Sequence, residues 1–203
     1  IEKYFIKFSY SISNTKFVSE NFKSILKGKY NNRINYIYNG FDTSRFFPKQ
    51  DKSKHKSIII GNVGRINIEK NQLQLLRVFN KINKDDIELF IIGKIDNINI
   101  YNKLNEISKK DNRISILDNK DNIEDYYNKF DIFVLPSLYE GCPNVLFEAM
   151  LCKCFCTISK NANTDNFIIH DKNGLVYDGT DDDLKLKIEY AIKIKNTDKF
   201  YKI

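Results

Sequence analysis

Residues 57–93 read SIIIGNVGRINIEKNQLQLLRVFNKINKDDIELFIIG, and this stretch decides the fold. An Ile-rich apolar run, Ser57–Val63, leads into a helical pattern near 69–83 and then into a second apolar run, Ile87–Gly93. Leu73, Leu76, Phe79 and Ile82 recur at helical spacing and line one face of the predicted helix. Neither apolar run alternates regularly with polar residues, as expected of strands covered on both faces. Strand, helix and strand in this order predict a βαβ unit with parallel strands.

The alternation continues downstream. Arg113–Leu117, Asp131–Pro136 and Cys154–Ser159 read as further strands, with helices near 99–110, 121–129, 143–153 and 163–170. The fold class predicted for residues 57–180 is α/β, a Rossmann-like doubly wound parallel sheet. Ligands of such sheets sit at the carboxyl ends of the strands. Asp181-Asp182-Asp183 opens a helical stretch at 181–196, within a C-terminal segment 181–203. Acids at a helix start suit the macrodipole, which favours capping over metal binding for this triplet. Upstream, residues 41–56 are polar, contain Pro48 and read as a linker. Residues 1–40 offer a strand at Lys16–Ser19, a helix at Glu20–Tyr30 and a strand at Ile34–Tyr38. One such piece cannot make a domain, so it is expected to be the tail of a preceding one. Residue 1 is isoleucine, consistent with chain preceding it.

Of 203 residues, 42% are hydrophobic, 29% charged and 13% aromatic, the profile of a folded protein rather than a disordered one. No apolar run approaches the roughly 18–20 residues a membrane span needs, and the opening residues do not read as a secretory leader. The four cysteines, Cys142, Cys152, Cys154 and Cys156, fall in one short stretch. A secreted disulfide scaffold would scatter them, and a zinc site would need a second ligand cluster. With only His55 and His170 as histidines, reduced thiols in a cytoplasmic protein are expected. The net charge of +7 is uneven: residues 1–56 carry 12 Lys/Arg against 4 Asp/Glu, and the remainder is nearly balanced. No paired Cys/His finger or aromatic RNA-binding run supports a nucleic-acid partner. Peripheral contact with anionic lipid and a general Lys/Asn/Ile bias both account for the basic lead.

Chemistry concentrates at two places. Glycines number eight, and Gly40, Gly61, Gly64, Gly93, Gly141 and Gly174 stand near strand ends or helix starts. Gly61-Asn62-Val63-Gly64-Arg65, followed by Glu69-Lys70-Asn71, offers backbone amides and two cations, which a diphosphate requires. The competing reading is a tight strand-to-helix turn with a solvated Arg65 and Lys70. The second place is Tyr139-Glu140-Gly141-Cys142-Pro143-Asn144-Val145-Leu146-Phe147-Glu148-Ala149-Met150. Pro143 fits the first position of a helix, whose start would present amides at Cys142, Asn144 and Val145. Glu140 would reach into the cleft. Glu148, inside the helix, could accept vicinal hydroxyls such as those of a ribose, or simply be solvated.

The segment from Glu140 to Glu148-Ala-Met resembles the Glu-x7-Glu motif of retaining glycosyltransferases with the GT-B fold, family 4. Val63-Gly64-Arg65 with Lys70 resembles that family's diphosphate loop, and Tyr38-Asn39-Gly40-Phe41-Asp42 its domain-junction motif. Asp131–Ser137 and Asn173-Gly174-Leu175-Val176 are similar to further family segments in the same order, across about residues 10–195. The resemblance implies that Arg65 and Lys70 bind the donor diphosphate and stabilise the leaving group. It implies that Glu140 contacts the donor sugar, with Gly141, Cys142, Pro143, Asn144 and Val145 around its hydroxyls or the phosphate. Glu148 would hold the ribose, and Gly64 would let the backbone approach the donor. Arg65, Lys70 and Glu140 would be the catalytic set. Family members use a nucleotide-diphosphate sugar, UDP- or GDP-linked, and usually no metal or other cofactor. Residues 57–180 would be the donor-binding domain and residues 1–40 a remnant of the acceptor-side domain. Lys153 and Phe155 depart from the glycine and proline usual before the next strand, and Asp118 from the usual glycine ending the third strand.

Three readings follow. The first is the donor half of an enzyme acting on a glycan or lipid-linked acceptor in polysaccharide biosynthesis, cytoplasmic or peripheral to the inner membrane face. The second is a nucleotide-sugar binding module without catalysis of its own. The third, a dinucleotide-binding Rossmann domain, wants an acidic residue after the second strand, where Gly93-Lys94 stand.

Overall fold

The computed structural model describes residues 10–49, 52, 56–195 and 197. Six parallel strands form the main sheet: β3 (Ile58–Val63), β4 (Ile87–Ile92), β5 (Ile114–Leu117), β6 (Ile132–Leu135), β7 (Phe155–Ser159) and β8 (Leu175–Tyr177). Their spatial order is β5-β4-β3-β6-β7-β8. The chain therefore starts at β3 in the middle, winds outward to β5, and returns to lay β6 against the free side of β3. The fold is the Rossmann-like doubly wound α/β sheet expected, with its order reversing between β3 and β6.

The connecting helices are α2 (Gln72–Phe79), α3 (Ile98–Ser108), α4 (Ile123–Lys129), α5 (Asn144–Leu151) and, after β8, α6 (Asp181–Ile194). Both faces of the sheet are covered, which is why its strands read as nearly continuous apolar runs. Ile60, Ile132 and Val134 join Leu75, Phe79, Leu104, Leu184 and Ile188 in one cluster. Phe133 and Leu135 point the other way, into a cluster with Tyr127, Leu146 and Ala149 from α4 and α5. Gly61 is required between them: a Cβ there would lie 2.1 Å from the Phe130 ring. At the lower end of β6, the fully buried Asp131 carboxylate accepts from the Ile59 amide at 2.8 Å and pairs with the buried Lys195 ammonium at 3.1 Å.

Ahead of the sheet lies a small parallel pair, β1 (Ser11–Ser13) and β2 (Ile34–Tyr36), joined by α1 (Lys16–Ile25). The strand expected at Lys16–Ser19 is instead the first turn of α1. The Thr15 hydroxyl accepts from the Val18 amide as N-cap, and a cap at that point commits the next residues to helix. Asp165, in the loop between β7 and β8, completes the capping: its carboxylate accepts from the Lys16 and Phe17 amides at 2.9 and 2.8 Å and from the Tyr38 hydroxyl at 3.2 Å. The described part of residues 41–56 contains turns and packs along α4 and α5. Phe46 is buried with its ring 5.9 Å from that of Tyr127, Arg45 pairs with Glu124, and Phe41 stacks on Phe147.

Two further expectations are corrected. Residues 163–170 form a loop, not a helix. The Asn163 side chain accepts from the Ile168 amide and donates to the Ile168 carbonyl, closing the loop with the polar atoms a helix would leave free. Leu175–Tyr177 is a sixth strand, too short to announce itself. Of the expected 181–196 helix, residues 181–194 are helical; its acidic start caps it, with the Thr180 hydroxyl accepting from the Asp183 amide and the Asp183 carboxylate from the Asp178 amide.

Candidate functional site

The loop after β3 is held rigidly. Its backbone zips onto the segment after β4: the Gly64 amide donates to the Ile92 carbonyl, Ile66 to Lys94, and Asp96 and Asn97 to Ile66. The approach is so close that a Cβ on Gly93 would sit 1.9 Å from the Gly64 carbonyl oxygen. Inside the loop, the buried Gln72 amide donates to the Arg65 carbonyl at 2.9 Å, and the Asn67 side chain accepts from the Lys70 amide at 3.0 Å. A fixed frame thus presents two cationic side chains, Arg65 and Lys70. Arg65 is exposed and pairs loosely with Asp96 at 3.4 Å. Lys70 lies over Gly64, whose missing Cβ would lie 3.5 Å from the lysine Cδ.

Lys70 reaches the loop after β6. Its ammonium stands 2.6 Å from Glu140 Oε1, which also accepts from the Ser137 hydroxyl at 2.7 Å. The two side chains are only 18% and 9% exposed, so the pair is shielded from solvent far better than the Arg65 pair. The loops are also tied through backbone, with the Leu138 amide donating to the Glu69 carbonyl at 2.8 Å. The Glu69 carboxylate beside Tyr139 raises that phenol above its ordinary value. Asn71, left-handed at φ +52°, extends its amide to Gln74 at 2.8 Å and to the Pro136 carbonyl at 3.3 Å. Gln74 in turn accepts from Tyr177 and donates to the Gly179 carbonyl. These side-chain bonds stitch the start of α2 to the ends of β6 and β8.

The start of α5 forms the third wall. Pro143 is the residue before the helix rather than its first, and it bends the chain so that the Asn144 amide donates to the Cys142 carbonyl at 3.0 Å. That amide is therefore already engaged, unlike the free donor expected. The Asn144 side chain accepts from Asn39 at 2.8 Å, and a Cβ on Gly141 would lie 3.8 Å from Val18, so this wall leans on the leading βαβ piece. Cys142 is half-buried, and burial pushes its thiol up. Val145 follows Asn144 in the first turn. Glu148 lies farther along α5, half-buried, with Oε2 accepting from the buried Tyr127 hydroxyl at 2.8 Å. Burial raises its carboxyl above the ordinary range.

The structure thus brings Lys70 and Glu140 into contact, with Gly64 and Arg65 in the same loop and Gly141–Val145 adjoining Glu140. Among the described residues, Glu148 makes no hydrogen bond or ion pair with Lys70 or Glu140. Sequence reasoning missed Ser137, Asn71, Asp96 and Tyr127. Ser137 and Asn71 directly flank the strand and the cation that were singled out, and that adjacency was the signal. Among the described residues no group of three or more His, Cys, Asp or Glu could hold a metal ion, and no helix is long and apolar enough to cross a membrane.

A putative glycosyltransferase, EpsF, of Bacillus subtilis (strain 168) is 30% identical over 139 residues, which are 63% of this chain and 36% of that protein. The crystal structure of a glycosyltransferase from Rickettsia africae superposes with a TM-score of 0.88 at 21% identity, covering all of this chain and 59% of that one. Anabaena Alr3699/HepE, solved in complex with UDP and glucose, superposes with a TM-score of 0.84 at 20% identity, covering 96% of this chain and 56% of that one. At these identities the structural likeness is one of fold, the GT-B arrangement, and the chain spans from about a third to three-fifths of each relative's length. The family model described as glycosyl transferases group 1 matches residues 43–202, a span that holds all three walls of the cleft. The chain belongs to the glycosyl transferases group 1 family.

Proposed function

We propose that this chain is the donor-binding half of a retaining glycosyltransferase of the GT-B type, family 4, moving a sugar from a UDP- or GDP-sugar to a glycan or lipid-linked acceptor in polysaccharide biosynthesis. The observation that carries the reading is the Lys70–Glu140 pair. It joins the loops after β3 and β6, the two strands at which the sheet reverses its order, where ligands of doubly wound sheets bind. Support also comes from Anabaena HepE, a protein of the same fold solved with UDP-glucose.

In this reading Arg65 and Lys70 hold the diphosphate and neutralise the charge that builds on it as the bond to the sugar's anomeric carbon breaks. The nucleoside diphosphate leaves with the electron pair of that bond. The acceptor hydroxyl oxygen bonds to the anomeric carbon from the same face and gives its proton to the departing diphosphate oxygen. Glu140, anchored through Oε1, keeps Oε2 for a sugar hydroxyl. The Gly141–Val145 turn lets the sugar approach closely, and Glu148 takes the ribose. Two side-chain cations supply the charge that a divalent metal would otherwise bring, so no metal is needed. The protein works in the cytoplasm, with the basic residues 1–56 at the inner membrane face.

Calorimetric titration of the chain with UDP, GDP, ADP, NAD and their sugar conjugates tests this. One nucleoside diphosphate is expected to bind, and Arg65→Ala to weaken it in a salt-dependent way while leaving the melting temperature nearly unchanged. The Arg65–Asp96 pair is exposed and contributes less than about 1 kcal/mol to stability. A response to NAD alone, or silence across the panel, overturns the reading. NMR of the product formed by an enzyme containing this donor half must show the donor's anomeric configuration; the opposite anomer overturns retention.

A further inference from the structure

We propose that Tyr127 is a positioning residue that makes this site a selector of ribonucleotide over 2′-deoxyribonucleotide donors by fixing the Glu148 carboxylate. The inference rests on the donor reading of Glu148 given above and adds to it a residue outside every recognised motif.

Tyr127 sits on α4 with its side chain fully buried. Its ring is wedged among those of Phe46, Phe130 and Phe133, at centroid distances of 5.9, 6.1 and 5.8 Å. A ring so confined can aim its hydroxyl in one direction only. That direction is Glu148 Oε2, at 2.8 Å. A buried phenol needs a partner, and this one has a half-buried carboxylate on α5 rather than a backbone carbonyl. The choice leaves Oε1 without a hydrogen-bond partner among the described residues, on a carboxylate whose plane is already set. Oε1 and the remaining lone pair of Oε2 can together accept two neighbouring hydroxyls, which a ribose supplies and a 2′-deoxyribose does not.

Glutamate otherwise has three rotatable bonds, and ordering them on binding lowers affinity. Removing the Tyr127 hydroxyl restores that freedom, so ribonucleotide affinity is expected to fall about 3- to 10-fold. It also removes a hydrogen bond that lowers the Glu148 carboxyl against the larger upward effect of burial. Among the described residues, the titratable or charged groups that act on Glu148 or are acted on by it are Tyr127 from α4, Arg45 from the segment leading to β3, and Cys152 from the end of α5 itself. Because the carboxylate is the acceptor, ribose preference sets in as pH rises through the Glu148 range, and that onset moves to higher pH in Tyr127→Phe.

The test measures by calorimetry the dissociation constants of UDP against 2′-deoxy-UDP and of GDP against 2′-deoxy-GDP, using the 203-residue chain, Tyr127→Phe and Glu148→Gln. The parent chain is expected to prefer the ribo form of its nucleotide about 10-fold or more, the value of hydrogen bonds to a charged acceptor. Tyr127→Phe should lose most of that preference through weaker ribo binding, with the deoxy form bound within about twofold of the parent. A merely structural role for the hydroxyl would weaken both forms alike. If Glu148→Gln abolishes the preference and Tyr127→Phe keeps it, the positioning role is overturned and the donor reading stands. If Glu148→Gln keeps the preference, or neither nucleotide pair binds, the donor reading of Glu148 falls and this inference with it.

Discussion

Lys70→Ala tests the electrostatics of the cleft most directly. The substitution removes a cation that stands 2.6 Å from Glu140, in a pair whose side chains are 18% and 9% exposed. One charge-assisted interaction with a diphosphate contributes about 1.5–3 kcal/mol, or about 10- to 150-fold in the dissociation constant. The loss does not end there. Glu140 keeps only the Ser137 hydroxyl and faces the incoming diphosphate with a bare carboxylate. Two unit charges about 4 Å apart at an effective dielectric of about 20 repel by about 4 kcal/mol. Binding in Lys70→Ala should therefore fall by at least about 100-fold. Adding Glu140→Gln removes the repulsion but returns no cation, so the double variant should bind the bare nucleoside diphosphate more tightly than Lys70→Ala alone. Calorimetric titration of the parent, both single variants and the double variant completes the cycle. The reasoning is refuted if Lys70→Ala binds as the parent does, or if Glu140→Gln weakens bare nucleotide binding further in the Lys70→Ala background.

Three other outcomes are expected. Lys195→Met strips the ammonium from Asp131, fully buried at the lower end of β6, and breaking such a pair costs about 3–5 kcal/mol, a fall of about 6–20 °C by calorimetry; a change under about 2 °C contradicts the assignment. Lys153 ends α5 in the left-handed region at φ +55°, its own and the Cys154 amide closing on Met150 and Ala149, so Lys153→Gly should stabilise by about 0.5–1 kcal/mol, and a lower melting temperature refutes this. Gly93→Ala must displace the Gly64 carbonyl, whereas a Cβ on Gly40 meets nothing within 4 Å; the first should lose stability and nucleotide affinity together while Gly40→Ala stays within about 0.5 kcal/mol by chemical denaturation, and equal behaviour of the two overturns the close-approach argument.

Five of the six strands of the main sheet were legible because burial on both faces removes polar residues from them, and all four residues of β6 are buried; the three-residue β8 was too short to show such a run. The loops that meet through Lys70 and Glu140 were legible because glycine and proline mark them. Three things were hidden, each for a physical reason. The loop at 163–170 has helical-looking composition, but the Asn163 amide closes it from within. Lys16–Ser19 reads as β-prone until Thr15 caps it into α1. The geometry around Glu148 depends on Tyr127, twenty-one residues away on another helix, a pairing that no local pattern encodes. Lys153 shows the opposite case: the departure from glycine was visible, yet the turn keeps its left-handed shape and the lysine bears the strain.

Asp165 sets a compatibility rule for chimaeras. It belongs by sequence to the loop between β7 and β8, yet among the described residues its carboxylate bonds to α1 and Tyr38. A hybrid joined at residues 40–41 would break no helix or strand, and by that measure the seam looks clean. It would nevertheless leave a carboxylate without its donors unless the grafted unit brought a helix start and a hydroxyl to the same point. Asn39, bonded to Asn144 at the mouth of the cleft, adds a second demand beside it. Exchange of leading units among relatives is thus constrained from the loop between β7 and β8, by a residue about 125 positions beyond the splice.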